Sequence, residues 1–219
     1  MRKRFVVAVV VLLSVAVGWA QDYAHETLTK GSIEIGPWVG GGTGVGIRTD
    51  WHFFNAGVRV GKVLTSEIGS GALRGNFEFA GDIIPVYLVM QPQSIGVPVP
   101  TVQGKTAIAY FLTGKRETVY GYSFNPVVLT WNFTRGRKVV PFFSAEGGLL
   151  VTRKDVPFPD TDHVNFTPGG AFGAHFFLKN RQAITLSGHV THISNASLGE
   201  HNPGINASIQ FRLGYTWFK

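Results

Sequence analysis

The chain lacks cysteine entirely, which excludes disulfide bonds and cysteine metal sites. It is also poor in charge, because Asp, Glu, Lys and Arg make up only 15% of its residues, whereas soluble domains usually carry about 25%. Beyond Ala20 it has no apolar run that approaches the roughly 20 residues of a transmembrane helix. These absences disfavour a disulfide scaffold, an ordinary soluble domain and a helical membrane protein.

The N-terminus has the pattern of a secretory signal peptide. Positions 2–4 are basic, positions 5–17 form an apolar run, and small residues precede a cleavage site after Ala20. The apolar run is short for an anchor helix, so a signal peptide is the favoured interpretation. We therefore expect residues 1–20 to be removed on export and residues 21–219 to form one domain.

Charge and composition then indicate the class of that domain. Loss of the three basic residues reduces the formal net charge of +7 to a mild excess, which is too small to favour nucleic acid as a partner. Aromatic residues reach 13%, and 28 glycines are present. Aromatic girdles at the interfaces and small residues inside are typical of a transmembrane β-barrel, so outer-membrane lipid is the expected surrounding.

The C-terminal segment shows the clearest period of two. Odd positions from Ile205 to Trp217 are mostly apolar, and even positions from Asn206 to Thr216 are polar or glycine. Such a segment has one apolar and one polar face. Its length suits a tilted membrane strand of about 9–11 residues. The aromatic end of the chain resembles the assembly signal of outer-membrane barrels.

The same alternation recurs and predicts an all-β fold, an eight-stranded antiparallel transmembrane β-barrel with strands at roughly 30–40, 53–65, 72–91, 117–133, 138–152, 166–179, 181–194 and 204–218. Short periplasmic turns are predicted at 66–71, 134–137 and near Asn180, and longer outer loops at 41–52, 92–116, 153–165 and 195–203. Charged residues of the polar parity should form an ion-pair network in a narrow lumen, namely Arg59, Arg74, Glu78 and Arg212. The alternative fold is a soluble barrel of lipocalin type, with the apolar parity inside.

A histidine and a serine end the seventh predicted strand on its apolar, outward parity. His192 and Ser194 are two residues apart, so they share a face at the outer end of the strand, roughly 6.5 Å apart along it. An imidazole can accept the serine proton while the oxygen attacks an ester carbonyl. Asn195, Asn202 and Gly204 follow and can supply amide donors to an oxyanion. The alternative is that both residues are simply polar groups near lipid headgroups.

The stretch from His192 to Ile205 resembles the signature of the lipid A 3-O-deacylase (PagL) family, and the segments 73–78 and 141–143 extend the similarity. The resemblance implies an outer-membrane barrel that hydrolyses the ester-linked acyl chain at the 3-position of lipid A. Ser194 then matches the family nucleophile and His192 the general base. No cofactor or metal is implied. The substrate would be lipid A or lipopolysaccharide, and a homodimer stays open.

The remaining site residues follow from the same resemblance. Asn195 and Asn202 match residues of the oxyanion hole, and Ser197 stands where the family often has a glycine whose amide contributes. The sequence departs from the family at the third catalytic position, where Asn206 replaces a glutamate. Either Asn206 or Glu200 in the adjacent loop is then expected to orient His192. The departure also leaves a second hypothesis open, a catalytically inactive barrel of the same family.

Overall fold

The computed structural model describes residues 27–100, 106–135, 138–159, 161–199 and 202–219. The predicted signal peptide lies outside these residues. Among them, no helix combines the length and apolar character needed to cross a membrane. Besides two 3-10 helices, Gly46–Arg48 and Gly71–Leu73, the described part contains nine strands: β1 (Ile33–Gly44), β2 (His52–Val63), β3 (Asn76–Pro100), β4 (Thr106–Asn132), β5 (Val139–Thr152), β6 (Val164–Phe166), β7 (Gly169–Lys179), β8 (Gln182–Ile193) and β9 (Ile205–Phe218).

These strands form one closed antiparallel barrel. Successive strands pair with each other from β1 to β5 and from β7 to β9, and the pairing of β1 with β9 closes the sheet. Both β6 and β7 pair with β5, and only Thr167 and Pro168 separate them. Because Pro168 has no N–H, it interrupts the ladder at this point. The two segments share one place, so the described strands form an eight-stranded barrel and the predicted fold is confirmed.

The two ends of the barrel differ in their connections. Both ends of the strand series meet at one rim, where Ile33 N donates to Lys219 O over 2.8 Å. The β7–β8 connection at that rim has only Asn180 and Arg181. Outer-membrane barrels have their termini and their short turns on the periplasmic side. We therefore call the opposite rim the outer end.

The outward face is apolar on every side of the barrel. Large apolar side chains are exposed on different strands, among them Phe124, Phe172, Leu186, Phe211 and Leu213. A soluble monomer rarely exposes so large an apolar surface, whereas a barrel in lipid requires it. The lipocalin alternative, which places the apolar parity inside, is wrong.

The lumen is filled by charged side chains that pair with each other. Arg59 Nε lies 2.8 Å from Asp82 Oδ1, and Arg212 Nη1 lies 3.0 Å from Asp82 Oδ2. Both arginines also approach Glu146, at 3.4 and 3.7 Å. Glu78 is buried as well and accepts a hydrogen bond of 2.9 Å from Asn132 Nδ2. The predicted ion-pair network is therefore present for Arg59 and Arg212, whereas Glu78 is buried in the lumen with an amide donor and without an ion pair among the described residues.

Arg74 departs from this prediction. It precedes β3, which begins at Asn76, and its side chain is 47% exposed and paired with Glu67. The 3-10 helix Gly71–Leu73 occupies the first two positions of the predicted strand 72–91. Because Arg74 is not in a strand, the parity argument does not apply to it.

The predicted irregular outer loop 92–116 is instead mostly paired strand. The partners continue from Pro92 with Arg116 to Pro100 with Thr106, so β3 and β4 extend as a long hairpin beyond their neighbours. The register shifts between Pro92 and Ser94. Prolines indicated a loop in the sequence, but an edge of a hairpin tolerates them because no partner needs their N–H.

Candidate active site

Hydrogen bonds from the neighbouring strand region fix the backbone around His192 and Ser194. His192 N donates to Pro168 O over 2.9 Å. Ser194 forms an isolated bridge with Phe166, with N–O distances of 2.7 and 3.1 Å. Ile193, between the two, is fully buried toward the lumen, so His192 and Ser194 lie on the opposite face. His192 is half-buried there, and Ser194 is 8% exposed.

A β-bulge lies directly opposite His192. Thr191 pairs with Ser208, but Ile193 pairs with Ile205, so Asn206 and Ala207 together face the single residue His192. An extra residue inverts the side-chain parity on one side of the bulge. Consequently Ile205 is buried and the Asn206 side chain is exposed. Regular alternation places Asn206 on the lumen parity unless the start of the strand is bulged, and the bulge is present.

The bulge places a main-chain acceptor against the imidazole. His192 Nδ1 lies 2.9 Å from the backbone carbonyl oxygen of Asn206. Because a carbonyl only accepts, Nδ1 carries the proton and Nε2 of the neutral ring has a free lone pair. The carbonyl of Asn206, and not its side chain, therefore orients the histidine. Glu200, the other candidate for this role, lies outside the described residues.

The hydroxyl of Ser194 has two partners in the following loop. Its Oγ donates to Asn202 Oδ1 over 3.0 Å and accepts from Ala196 N over 3.1 Å. Within the part of the chain that the structure describes, no hydrogen bond joins Ser194 to His192. The serine is thus held by the loop in this state, and its hydroxyl must turn before its proton can reach the imidazole.

A strained turn follows the serine. Leu198 N donates to Asn195 O over 3.0 Å, and the two central residues, Ala196 and Ser197, have φ values of 52° and 62°. Left-handed backbone costs about 1–3 kcal/mol for a residue with a side chain, and such strain concentrates at functional sites. Ser197 N is occupied by Asn195 Oδ1 at 3.0 Å. The turn is what aims the Ala196 amide at the Ser194 oxygen.

Gly204 closes the loop against the serine. Its φ is +49°, and a Cβ there would lie 3.1 Å from Ile193 O and 3.8 Å from Ser194 Cβ. The position therefore requires glycine both for its conformation and for the close approach. Asn202, two residues earlier, also reaches Ser197 Oγ with Nδ2 at 3.4 Å.

An apolar groove runs along the outward surface beside the site. It has a volume of about 420 Å³ and is lined by Pro126, Val127, Gly147, Gly148, Leu149, Phe166 and Pro168. Phe166 and Pro168 are the backbone partners of Ser194 and His192 described above. Gly147 keeps the groove open, since a Cβ added there would meet nothing within 4 Å. This groove faces lipid and has room for a hydrocarbon chain.

A second serine–histidine pair lies in the lumen. Ser187 Oγ is 2.8 Å from His189 Nε2, and His189 Nδ1 is 3.2 Å from Glu146 Oε1. All three side chains are buried, and the cavity beside Ser187 and His189 is about 30 Å³. That volume suits one or two water molecules and no acyl ester. The outward pair is therefore the better candidate for chemistry on a lipid.

Among the described residues, no cluster of three or more His, Asp or Glu is suited to hold a metal ion.

Sequence reasoning brought His192, Ser194, Asn195, Asn202 and Ser197 into one region, and the structure places them there. Sequence reasoning missed three groups that contact the residues of the site. They are the Asn206 carbonyl, the Ala196 amide and the guanidinium of Arg48, which bonds to Gly204 O. The first two are main-chain groups that no residue type reveals. Arg48 lies in no motif and comes near the site only through the fold.

The closed barrel, its lipid-facing apolar surface and its outer-end polar site define an outer-membrane β-barrel. A model of the family "Lipid A 3-O-deacylase (PagL)" matches residues 100–216, more than half of the sequence. The chain belongs to this family.

Among solved structures, the chain is similar to one titled as the outer membrane enzyme PagL, with 17% identity, a TM-score of 0.46, and coverage of 84% of this chain and 98% of that one. It is also similar to the NanC porin, with 10% identity, a TM-score of 0.22, and coverage of 86% and 99%. No curated protein matches the chain.

Proposed function

We propose that this chain is an outer-membrane serine esterase that removes the 3-O-linked acyl chain of lipid A, exported through a signal peptide cleaved after Ala20. The observation that carries the proposal is the outward His192, oriented by a main-chain carbonyl, two residues from Ser194 at the outer end of a membrane strand. Family membership supports the reaction class. Lipid A in the outer leaflet meets the barrel at this end.

The first step is attack by Ser194. After the hydroxyl turns from Asn202, its proton passes to His192 Nε2 while Oγ bonds to the ester carbonyl carbon. The tetrahedral intermediate collapses when the bond to the sugar 3-oxygen breaks, and that oxygen takes the proton from His192. Water then hydrolyses the acyl-enzyme, with His192 again as base. The fatty acid leaves and Ser194 regains its proton.

The intermediate needs donors for its negative oxygen. The Ala196 amide lies beside Ser194 Oγ, to which it donates, so it is close to where the substrate's carbonyl oxygen would become negative, and Asn195 and Asn202 carry amide groups in the same loop. Loss of one oxyanion donor typically costs 10²–10³ in kcat. Ser197 contributes through its turn conformation, since its own amide is held by Asn195.

The acyl chain of the substrate would lie in the apolar groove next to β6. That groove adjoins the backbone partners of both reacting residues and opens to the lipid. A lipid can therefore enter sideways without leaving the leaflet.

The test is mass spectrometry of lipid A from a Gram-negative host that expresses the wild-type chain, Ser194→Ala or Ser187→Ala. We expect the wild type and Ser187→Ala to remove one 3-hydroxyacyl chain, and Ser194→Ala to leave lipid A intact. Ser187 is the matched control because it also lies beside a histidine. Lipid A that is unchanged by the wild type would exclude the activity. If Ser187→Ala alone lost activity, the reacting pair would be Ser187 and His189 in the lumen.

The second candidate is a barrel of this family without activity. Two observations favour it: Asn206 replaces the family carboxylate, and Ser194 bonds to Asn202 rather than to the imidazole. A fluorophosphonate probe that labels Ser194 in folded protein would argue against it. Absence of labelling together with unchanged lipid A would support it.

A further inference from the structure

A cationic pocket adjoins the candidate active site on the side opposite the apolar groove. We call it the Arg48 pocket. It has a volume of about 260 Å³ and lies between the β1–β2 loop and the start of β9, with Val45, Ile47, Arg48, Pro203, Gly204 and Asn206 among its lining residues. Two of these residues belong to the site itself. Gly204 packs against Ser194, and the carbonyl of Asn206 holds His192.

The guanidinium of Arg48 is held in place by uncharged groups. Its Nε donates to Gly204 O over 3.3 Å, and its centre lies 4.9 Å from the Trp51 ring and 4.7 Å from the Phe158 ring. Phe158 in turn stacks on Tyr110 of the β3–β4 hairpin. The cation is therefore positioned by three separate outer segments and by the loop that contains the site.

In the described part of the chain, no carboxylate pairs with Arg48, and no acceptor bonds to its two terminal nitrogens. Burial lowers the pKa of Arg48 from its ordinary value, and no charge among the described residues opposes the change. A partly buried charge without a partner is costly unless a ligand supplies the opposite charge. Its free donors form the planar fork that matches phosphate oxygens.

We infer that the Arg48 pocket binds a phosphate monoester of the lipid headgroup and so positions the sugar ester over Ser194. The inference rests on the proposed function for the identity of the lipid, since lipid A carries phosphates on its sugars. Arg48 would be a positioning residue. The two flanks of the site then differ in chemistry: the groove beside β6 takes the hydrocarbon, and the pocket beside β9 takes the anion.

The experiment measures equilibrium binding by microscale thermophoresis, using the full chain in detergent micelles in a Ser194→Ala background, which prevents turnover. The ligands are phosphorylated lipid A, chemically dephosphorylated lipid A and inorganic phosphate. The variants are Arg48→Gln and, as a matched control, Arg116→Gln. Arg116 lies at the same end of the barrel, where it donates to Asp50 O and Met90 O, but it does not line the pocket. Heat-modifiable migration on a gel checks that each variant folds.

We expect Arg48→Gln to weaken binding of phosphorylated lipid A about tenfold or more, as the loss of a charge-assisted hydrogen bond implies. Dephosphorylated lipid A should bind equally with and without Arg48, and Arg116→Gln should behave like its parent. An equal loss for both lipids, or no loss for either, would overturn the inference. If millimolar phosphate bound through Arg48 without competing with lipid A, the pocket would be a site for a free anion. That result would also overturn the inference. Because binding is measured without turnover, an inactive wild type would leave this result interpretable.

Discussion

At the scale of single residues, the structure differs from the sequence-based expectation in the group that orients the histidine. The carbonyl oxygen of Asn206 accepts the hydrogen bond from His192 Nδ1, while the Asn206 side chain is exposed. A main-chain acceptor sets the tautomer as a carboxylate would, but it adds no negative charge to stabilise an imidazolium. The residue type at position 206 should therefore matter little for catalysis in this chain.

The corresponding prediction compares Asn206→Ala with His192→Ala. We expect Asn206→Ala to retain the deacylation rate within about threefold, because the carbonyl remains, and His192→Ala to lose it by about 10³ or more, as expected for a catalytic base in such a site. Rates are measured on purified protein with lipid A in mixed micelles, with Glu200→Gln as a further comparison. If Asn206→Ala fell as far as His192→Ala, the side chain would be the orienting group and the carbonyl assignment would be wrong.

At the scale of secondary-structure elements, the bulge in β9 decides the geometry of the site. Deletion of Ala207 would leave one residue opposite His192 and restore regular pairing between β8 and β9. We expect this variant to form the barrel, seen as heat-modifiable migration on a gel, and to lose deacylation by about 10² or more, because the Asn206 carbonyl would be redirected.

A second bulge supplies the control for this deletion. The register of β7 against β8 shifts at Leu178, an exposed residue at the periplasmic rim. Deletion of Leu178 makes the same kind of change far from the site and should leave activity near that of the wild type. Full activity after deletion of Ala207 would show that the bulge does not position His192.

The bulge in β9 also separates the part of the strand whose side-chain orientation the sequence predicts from the part whose orientation it does not. From Ser208 to Phe218 the alternation gives the inward and outward faces of β9 correctly, because every second side chain meets lipid. Before Ser208 the same alternation would place Ile205 outside and Asn206 inside, the reverse of the structure, because a one-residue insertion has no sequence mark. Parity also placed His192 and Ser194 outside, but a carbonyl acceptor and a strained amide are backbone features that any residue could provide.

At the scale of the whole molecule, the lumen network connects the strands behind the site. Glu146 of β5 approaches His189 of β8 and Arg212 of β9, and Arg212 also pairs with Asp82 of β3. The strands that carry His192 and Asn206 are thus joined across the barrel by charges that the outside lipid cannot reach. Removal of one member leaves the opposite charges buried without compensation, which costs about 3–5 kcal/mol.

The last prediction follows from this network. Asp82→Asn keeps the side-chain volume but removes the charge shared by Arg59 and Arg212, so we expect a large fall in the temperature at which the barrel unfolds on heat-modifiability gels. Lys154→Ala is the control, because its ion pair with Glu117 is 2.7 Å long but the lysine side chain is 65% exposed, and such surface pairs contribute about 0–1 kcal/mol. Deacylation at low temperature should survive in both variants, since neither residue touches the site. Equal unfolding temperatures for Asp82→Asn and the wild type would mean that packing and lipid, rather than the lumen charges, hold the strands in register.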